Sequence, residues 1–156
     1  MTRGLHSFRI VAASRQDAAE VAAAHARLFD EPWNQHEIDR LLDGPAALAI
    51  LARSIQTNAV AGFVIAHAAA DEADILSIGV TPEWQRCGVA RRLVLDLSTV
   101  AAAKGAKHLY VDVAADNAPA IALYAGLGFL GRGRRKGYYV RRPGPASDAL
   151  LLARAL

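Results

Sequence analysis

Apolar residues recur along this chain with two different periods, which predicts a mixture of strands and helices. Short apolar runs at residues 7–12, 47–53, 60–67, 75–80 and 109–113 are typical of β-strands. Apolar positions at helical spacing, together with helix-start and helix-stop residues, predict helices at about 14–29, 35–42, 88–105 and 117–128. Three further strands are predicted at 129–132, 136–140 and 149–153. This order of elements indicates one α/β domain with a mixed sheet over residues 1–156.

The helix boundaries carry recognisable signals. Ser14 precedes Asp17 by three residues, which is the spacing of a capping box. Gly105 is placed to end the third helix, and Pro119 sits in the first turn of the fourth, where its missing N–H costs nothing. These signals support the helix boundaries that the apolar spacing predicts.

Composition narrows the class of protein. The 156 residues are 53% hydrophobic and 21% charged, enough to build a substantial core. A single cysteine, Cys87, excludes an intramolecular disulfide and a multi-cysteine zinc site. The first residues lack the apolar stretch of a secretory signal, and the longest apolar run, 59–70, is too short to span a bilayer. We therefore expect a soluble, cytoplasmic protein without a membrane partner.

Positive charge is concentrated near the C-terminus, although the net charge is only +3. A solvated basic face explains such a cluster, and so does attraction of an anionic partner, such as a nucleotide cofactor or a ribosome-associated surface. No nucleic-acid-binding motif accompanies the charge, so direct nucleic-acid recognition is not expected. The cluster comprises Arg132, Arg134, Arg135, Lys136, Arg141 and Arg142.

The turn at residues 85–90, between a predicted strand and a predicted helix, has the features of an anion site. The start of a helix leaves backbone N–H groups unpaired and carries partial positive charge. Gly88 lets a ligand approach that backbone, and the small side chain of Ala90 avoids crowding it. A pyrophosphate fits such a place, although an ordinary glycine-containing turn has the same sequence features.

Two sequence strings together resemble the GNAT superfamily of N-acetyltransferases. The first is a strand leading into Gln-Arg-Cys-Gly-Val-Ala at 85–90, which looks like the family's Gln/Arg-x-x-Gly-x-Gly/Ala signature. The second is at 117–129, where Asn117, Leu123, Tyr124 and Phe129 match Asn-x-x-Ala-x-x-Leu-Tyr-x-x-x-Gly-Phe. The resemblance implies a GNAT-type domain with a mixed, mostly antiparallel sheet flanked by helices, and acetyl-coenzyme A (acetyl-CoA) as co-substrate.

Shorter markers resemble one branch of that family, the bacterial ribosomal-protein-alanine N-acetyltransferases. These markers are Pro32-Trp33, the segment at 135–139 and the Asp-Ala-Leu at 148–150. The chain departs from this branch at Asp112, because the branch usually carries glutamate on the strand before the second signature.

The resemblance implies roles for individual residues. The backbone of the fourth strand, at Ile78 and Val80, pairs with the pantetheine arm, and Asn117 supports that arm. Tyr124 protonates the departing thiolate. The pyrophosphate is held by the backbone amides of the loop, which comprises Arg86, Cys87, Gly88, Val89, Ala90 and Arg91.

Direct attack on a thioester requires a neutral amine, so a base or a water chain must remove a proton. By alignment the candidate base is Asp112, one methylene shorter than glutamate and able to act through water. An alternative is that this carboxylate orients a neighbour or the acceptor amine. Tyr124 has its own alternative, that of an aromatic residue packed in the core. No covalent enzyme intermediate is expected, because Cys87 has no base motif and a small structural residue explains it better.

Three aromatic residues are candidates for the acceptor site: Trp33, Tyr138 and Tyr139, and packing explains each of them equally simply. No metal is expected, since the histidines show no ligand spacing; they are His6, His25, His36, His67 and His108. The predicted function is acetyl transfer to a protein N-terminal α-amine, such as that of a ribosomal-protein alanine. Acetylation of a small-molecule or lysine amine is an alternative, as is a catalytically silent coenzyme A-binding regulatory module.

Overall fold

The computed structural model describes residues 6–141 and 144–156 of the chain. The described residues form one seven-stranded sheet in the order β1-β2-β3-β4-β5-β7-β6. The strands are β1 (Phe8–Ala12), β2 (Ala47–Ser54), β3 (Val60–Ala69), β4 (Glu72–Val80), β5 (His108–Ala114), β6 (Leu130–Tyr139) and β7 (Ser147–Ala155). The helices are α1 (Ala18–Leu28), α2 (Gln35–Asp43), α3 (Val89–Ala103) and α4 (Ala118–Gly126).

Neighbouring strands run antiparallel except for β4 and β5, which are parallel. The predicted α/β domain with a mixed, mostly antiparallel sheet is therefore confirmed. A parallel pair needs a crossover connection, and α3 supplies it. No helix in the described part of the chain is both long enough and apolar enough to cross a bilayer.

Helices cover the sheet on both faces. The apolar stripe of α3, which includes Leu93 and Leu97, packs with Val64 and Leu109 of the sheet in the larger core. Val21 of α1 and the fully buried Ile38 of α2 pack in a second core. Burial of this apolar surface stabilises the domain at roughly 25 cal/mol per Å².

The hairpin of β3 and β4 is longer than the sequence analysis predicted. The predicted strands ended at residue 67 and began at residue 75, whereas pairing continues to Ala69 opposite Glu72. In this extension the exposed Glu72 and Asp74 alternate with the buried Ala73 and Ile75. The prediction took only the apolar part of the strand, and the alternation of a half-buried strand extends it.

The two strands predicted at 129–132 and 136–140 are wrong, because one strand, β6, spans both. Among the described strands it pairs only with β7, at the edge of the sheet, and its register shifts twice, between Gly131 and Gly133 and between Arg135 and Tyr139. Glycines and cations interrupt its apolar pattern, but cross-strand pairing keeps it extended.

The basic cluster lies mainly on this edge. Within the described residues Arg134 pairs with Asp148 and Arg141 pairs with Asp116, whereas Arg132 is exposed. Charged side chains and bulges on an edge strand oppose edge-to-edge association, and the position of the cluster suits that role. Arg142 lies outside the described residues.

The feature that creates a site is the separation of β4 from β5. The two strands pair over four positions only, from Glu72 opposite His108 to Ile75 opposite Val111. At Leu76 the register of β4 against β3 shifts by one residue, which is a β-bulge. Beyond this bulge no described strand pairs with β4 on its β5 side, and a cleft opens there.

Candidate functional site

Two connected cavities occupy the space between the diverging strands. The wide cleft, about 690 Å³, lies between the end of β4, the start of α3 and α4. The narrow cleft, about 310 Å³, runs from the bulge in β4 to β5. The residues that line both cavities are Phe29, Ile78, Asn117, Ala120 and Tyr124. Two molecules bound one in each cleft would therefore meet beside these five residues.

The loop before α3 is shaped to bind an anion. Arg86 and Gly88 both adopt left-handed backbone conformations, with φ of 63° and 81°. Left-handed residues close together in a turn direct successive backbone N–H groups into one concavity, a known form of anion site. A non-glycine residue in this conformation is uncommon and marks functional sites more often than chance.

The start of α3 keeps its positive end free. No side chain caps it in the described structure, and its first turn contains no acidic residue. The start of α2 differs, because the side chains of Asn34 and Glu37 form a reciprocal capping box there. The potential of the α3 dipole is thus available to a ligand in the wide cleft.

Close packing at Gly79 brings the end of α1 to the cleft. A Cβ at this glycine would lie 2.6 Å from Cδ1 of Leu28 and 2.9 Å from Cζ of Phe63, so no larger residue fits without a shift. Leu28 and the following Phe29 line the wide cleft as a result.

Tyr124 stands where the two cavities meet. Its side chain is buried, and its ring packs edge-on against Phe129 with centroids 5.0 Å apart. Burial, with a smaller contribution from Tyr139, raises the pKa of Tyr124 to about 12. The phenol therefore stays protonated at neutral pH and can act as a donor.

Asp112 lies on β5 in the narrow cleft, with Tyr139 on the same lining. Its Oδ1 is buried and has no hydrogen-bond partner among the described residues. Burial raises the pKa of Tyr139, and the negative charge of Asp112 raises it further. Burial also raises the pKa of Asp74 on the neighbouring strand, and the charges of Glu72 and Asp112 add to this. A buried carboxylate oxygen without a partner is an available acceptor for a hydrogen bond from a ligand.

The predicted cofactor residues lie around the wide cleft, with one exception. Ile78, Val80, Asn117 and the loop residues Arg86, Gly88, Val89, Ala90 and Arg91 line it. Cys87 does not, because its side chain packs against the larger core. Its predicted role depends on the backbone amide, which the side-chain position does not affect.

The predicted acceptor residues are divided. Tyr139 lines the narrow cleft. Tyr138 is half-exposed and lies outside both clefts, with its ring edge-on to Tyr139. Trp33 lines a separate groove of about 500 Å³, which touches the narrow cleft through the shared residue Leu76.

The cleft residues that the sequence analysis missed include Phe29, Leu76 and Ser77. The serine within the apolar run of β4 could have indicated Ser77 as a site residue, since a polar residue in a buried strand usually has a specific partner. Phe29 follows the last turn of α1 and Leu76 lies at the bulge, so their positions in the cleft depend on tertiary structure.

Among the described residues, no group of three or more His, Cys, Asp or Glu side chains is arranged to hold a metal ion.

Comparison with known families matches residues 18–129 to the acetyltransferase (GNAT) family. The chain belongs to the GNAT family. The family predicted from the two signatures is confirmed, and the predicted enzyme class agrees with the description of that family.

Individual GNAT relatives agree with this membership. An N-alpha-acetyltransferase RimI from Mycobacterium tuberculosis is 34% identical over 145 residues, 89% of each protein. The [ribosomal protein bS18]-alanine N-acetyltransferase of Escherichia coli is 38% identical over 98 residues, 63% of this chain and 66% of that protein, just under two thirds of its length.

A solved GNAT structure shows the same fold. The crystal structure of the ribosomal-protein-S18-alanine N-acetyltransferase from Escherichia coli superimposes with a TM-score of 0.86 at 30% identity. The match covers 96% of this chain and 94% of that one. The names of these relatives agree with the branch of the family that the sequence markers resemble.

Proposed function

We propose that this chain transfers an acetyl group from acetyl-CoA to the α-amine of a protein N-terminus, with a ribosomal protein beginning with alanine as the acceptor. The observation that carries the proposal is the meeting of the two clefts at Tyr124. One cleft is lined by a loop whose backbone geometry suits an anion, and the other by an aromatic ring and a half-buried carboxylate with one buried, unpartnered oxygen.

The residues present fit acetyl-CoA. The loop at 86–91 and the uncapped start of α3 offer backbone N–H groups to a pyrophosphate. The end of β4, unpaired on its β5 side, offers backbone groups to the amides of the pantetheine arm. Asn117, which caps α4 through its contact with the amide of Ala120, lines the same cleft beside that strand.

The reaction needs no covalent intermediate with the enzyme. Asp112, directly or through one water, accepts the proton that the acceptor amine loses as its nitrogen bonds to the acetyl carbon. A backbone N–H of the unpaired end of β4 stabilises the negative charge that develops on the acetyl oxygen. Tyr124 donates its hydrogen bond to the sulfur and supplies the proton as the carbon–sulfur bond breaks.

The proposed base gives a first prediction. We expect Asp112→Asn to lower kcat/KM by up to about 10²-fold, the lower end of the range for general bases, because the amide cannot accept the amine proton. The loss should be smallest on the acidic limb of the pH–rate profile, where a carboxylate base is protonated even in the wild type, and greatest above that limb, measured with one acceptor for both proteins.

Asp96→Asn is the matched control, because Asp96 is a carboxylate of α3 that pairs with Arg92 and lines neither cleft. We expect its profile to keep the wild-type shape. An unchanged profile for Asp112→Asn would show that another group acts as the base.

The acceptor gives a second prediction. An α-amine titrates near 7.7–8.0 and a lysine amine near 10.4, so at pH 7 roughly 10²-fold more of the α-amine is neutral. A peptide beginning with alanine should therefore give a higher kcat/KM than its N-terminally blocked form with an internal lysine, and a higher kcat/KM than spermidine. The measurement is the rate of thiol release with each acceptor.

Two other functions stay in competition, and the same assay separates them. Faster acetylation of the blocked peptide or of spermidine would indicate a lysine or small-molecule acetyltransferase. Binding of coenzyme A without thiol release from any acceptor would indicate a regulatory module. A ribosomal-protein acceptor would place the reaction in the cytoplasm.

A further inference from the structure

His25 is a buried histidine beside the acceptor cavities that the proposed chemistry does not use. It lies on α1 and is 3% exposed. Three aromatic rings stack on it: Phe29 at 4.2 Å between centroids, Trp33 at 5.0 Å and Phe63 at 5.7 Å. Phe29 lines both clefts and Trp33 lines the adjoining groove, so the contacts of His25 lie in the walls of the acceptor site.

Both ring nitrogens of His25 have hydrogen-bond partners. The backbone N–H of Trp33 donates to Nδ1 at 3.1 Å, so Nδ1 carries no proton. The neutral ring then carries its proton on Nε2, which donates to Oγ of Ser77 at 3.2 Å. Burial lowers the pKa of His25 against a smaller opposing effect of the Glu37 charge, which favours the neutral ring.

This arrangement excludes His25 as the base. Nδ1 already accepts the Trp33 amide, and Nε2 already holds a proton, so neither nitrogen is free to take one from an acceptor amine. The two hydrogen bonds instead join the acceptor loop, residues 29–34, to Ser77 of β4, which lines the narrow cleft just after the bulge.

We propose that His25 is a positioning residue that, as the neutral Nε2–H tautomer, fixes the acceptor loop against β4 and thereby sets the distance between the two walls of the acceptor site. The identity of the acceptor rests on the proposed function, but the connection between loop and strand does not. A site with fixed walls binds its acceptor without first ordering the loop, so the expected benefit is in acceptor affinity.

The kinetic test uses an Ala-initiated peptide and three variants. His25→Leu removes both hydrogen bonds and keeps apolar volume. We expect it to raise the acceptor KM by about tenfold, since each hydrogen bond contributes modestly, with kcat within about threefold of wild type. The Kd for acetyl-CoA, measured by calorimetry, should not change. Ser77→Ala should raise the acceptor KM less. His25→Asn, whose amide oxygen reaches the position of Nδ1, should restore part of the affinity.

A second readout does not need an acceptor. Hydrogen exchange of the Trp33 backbone amide, followed by NMR, reports the bond to Nδ1 directly. We expect this amide to be protected in the wild type, in Ser77→Ala and in His25→Asn, and to exchange about tenfold faster in His25→Leu.

Either readout can overturn the proposal. A folded His25→Leu protein with an unchanged acceptor KM, or with unchanged protection of the Trp33 amide, would contradict it. A kcat loss together with a shifted acidic limb would identify His25 as a base instead. If His25→Leu fails to fold, loss of Trp33 protection in His25→Asn would be the contradicting result. If the wild type acetylates no peptide, the proposed function fails while amide exchange still decides the role of His25.

Discussion

Replacing Tyr124 by phenylalanine should lower kcat by about 10²–10⁴-fold, the usual contribution of a general acid, while acetyl-CoA affinity stays close to wild type. The substitution removes one hydroxyl from a buried ring and leaves the packing against Phe129 in place. Without that hydroxyl the departing sulfur loses its proposed proton donor. Steady-state kinetics with calorimetry for acetyl-CoA measures both quantities.

Tyr110→Phe is the matched control, because Tyr110 on β5 lines neither cleft and its ring contacts that of His108. We expect it to retain wild-type turnover. Wild-type turnover in Tyr124→Phe would instead show that this residue contributes only to packing of the core. Since burial raises the pKa of Tyr124 to about 12, its ionisation should produce no basic limb in the profile near neutral pH.

Replacing Gly88 by glutamate should weaken acetyl-CoA binding by about 10³-fold, since placing like charges together costs several kcal/mol. The new carboxylate would stand at the start of α3, where the phosphates are proposed to bind. The measurement is the Kd for acetyl-CoA by calorimetry on protein shown to be folded by circular dichroism.

Gly105→Glu separates charge at the loop from backbone strain. Gly105 also has a left-handed backbone, with φ of 97°, and a Cβ there also meets nothing within 4 Å. Both substitutions therefore bear a similar conformational cost of roughly 1–2 kcal/mol. We expect Gly105→Glu to lose stability but to bind acetyl-CoA normally. Equal binding by the Gly88→Glu protein would show that the loop does not hold the phosphates.

The sequence predicted the elements well where local signals are strong. The α2 helix, predicted at 35–42 and observed at Gln35–Asp43, has a capping box at its start. Strand β5 alternates fully between buried and half-buried positions. The long β6 was predicted as two strands, because its glycines and cations carry no apolar period and only pairing with β7 holds it extended.

The site was predictable as far as it depends on motif residues. Tyr124, Asn117 and Gly88 stand in the two GNAT signatures and line the wide cleft. The walls made by Phe29, Leu76 and Ser77 were not predictable in the same way. They depend on the bulge in the hairpin of β3 and β4, which no sequence pattern marked, and on the close approach of α1 at Gly79, which is packing between elements distant in sequence.

Mapping the acetylated atom tests N-terminal transfer most directly. The substrate is a peptide that begins with alanine and carries one internal lysine, incubated with acetyl-CoA and the wild-type protein, and the product is fragmented in a mass spectrometer. We expect one acetyl group on the alanine α-nitrogen for each coenzyme A thiol released. Acetylation of the lysine side chain alone, or the absence of acetylated peptide under conditions where acetyl-CoA binds, would contradict the proposed function.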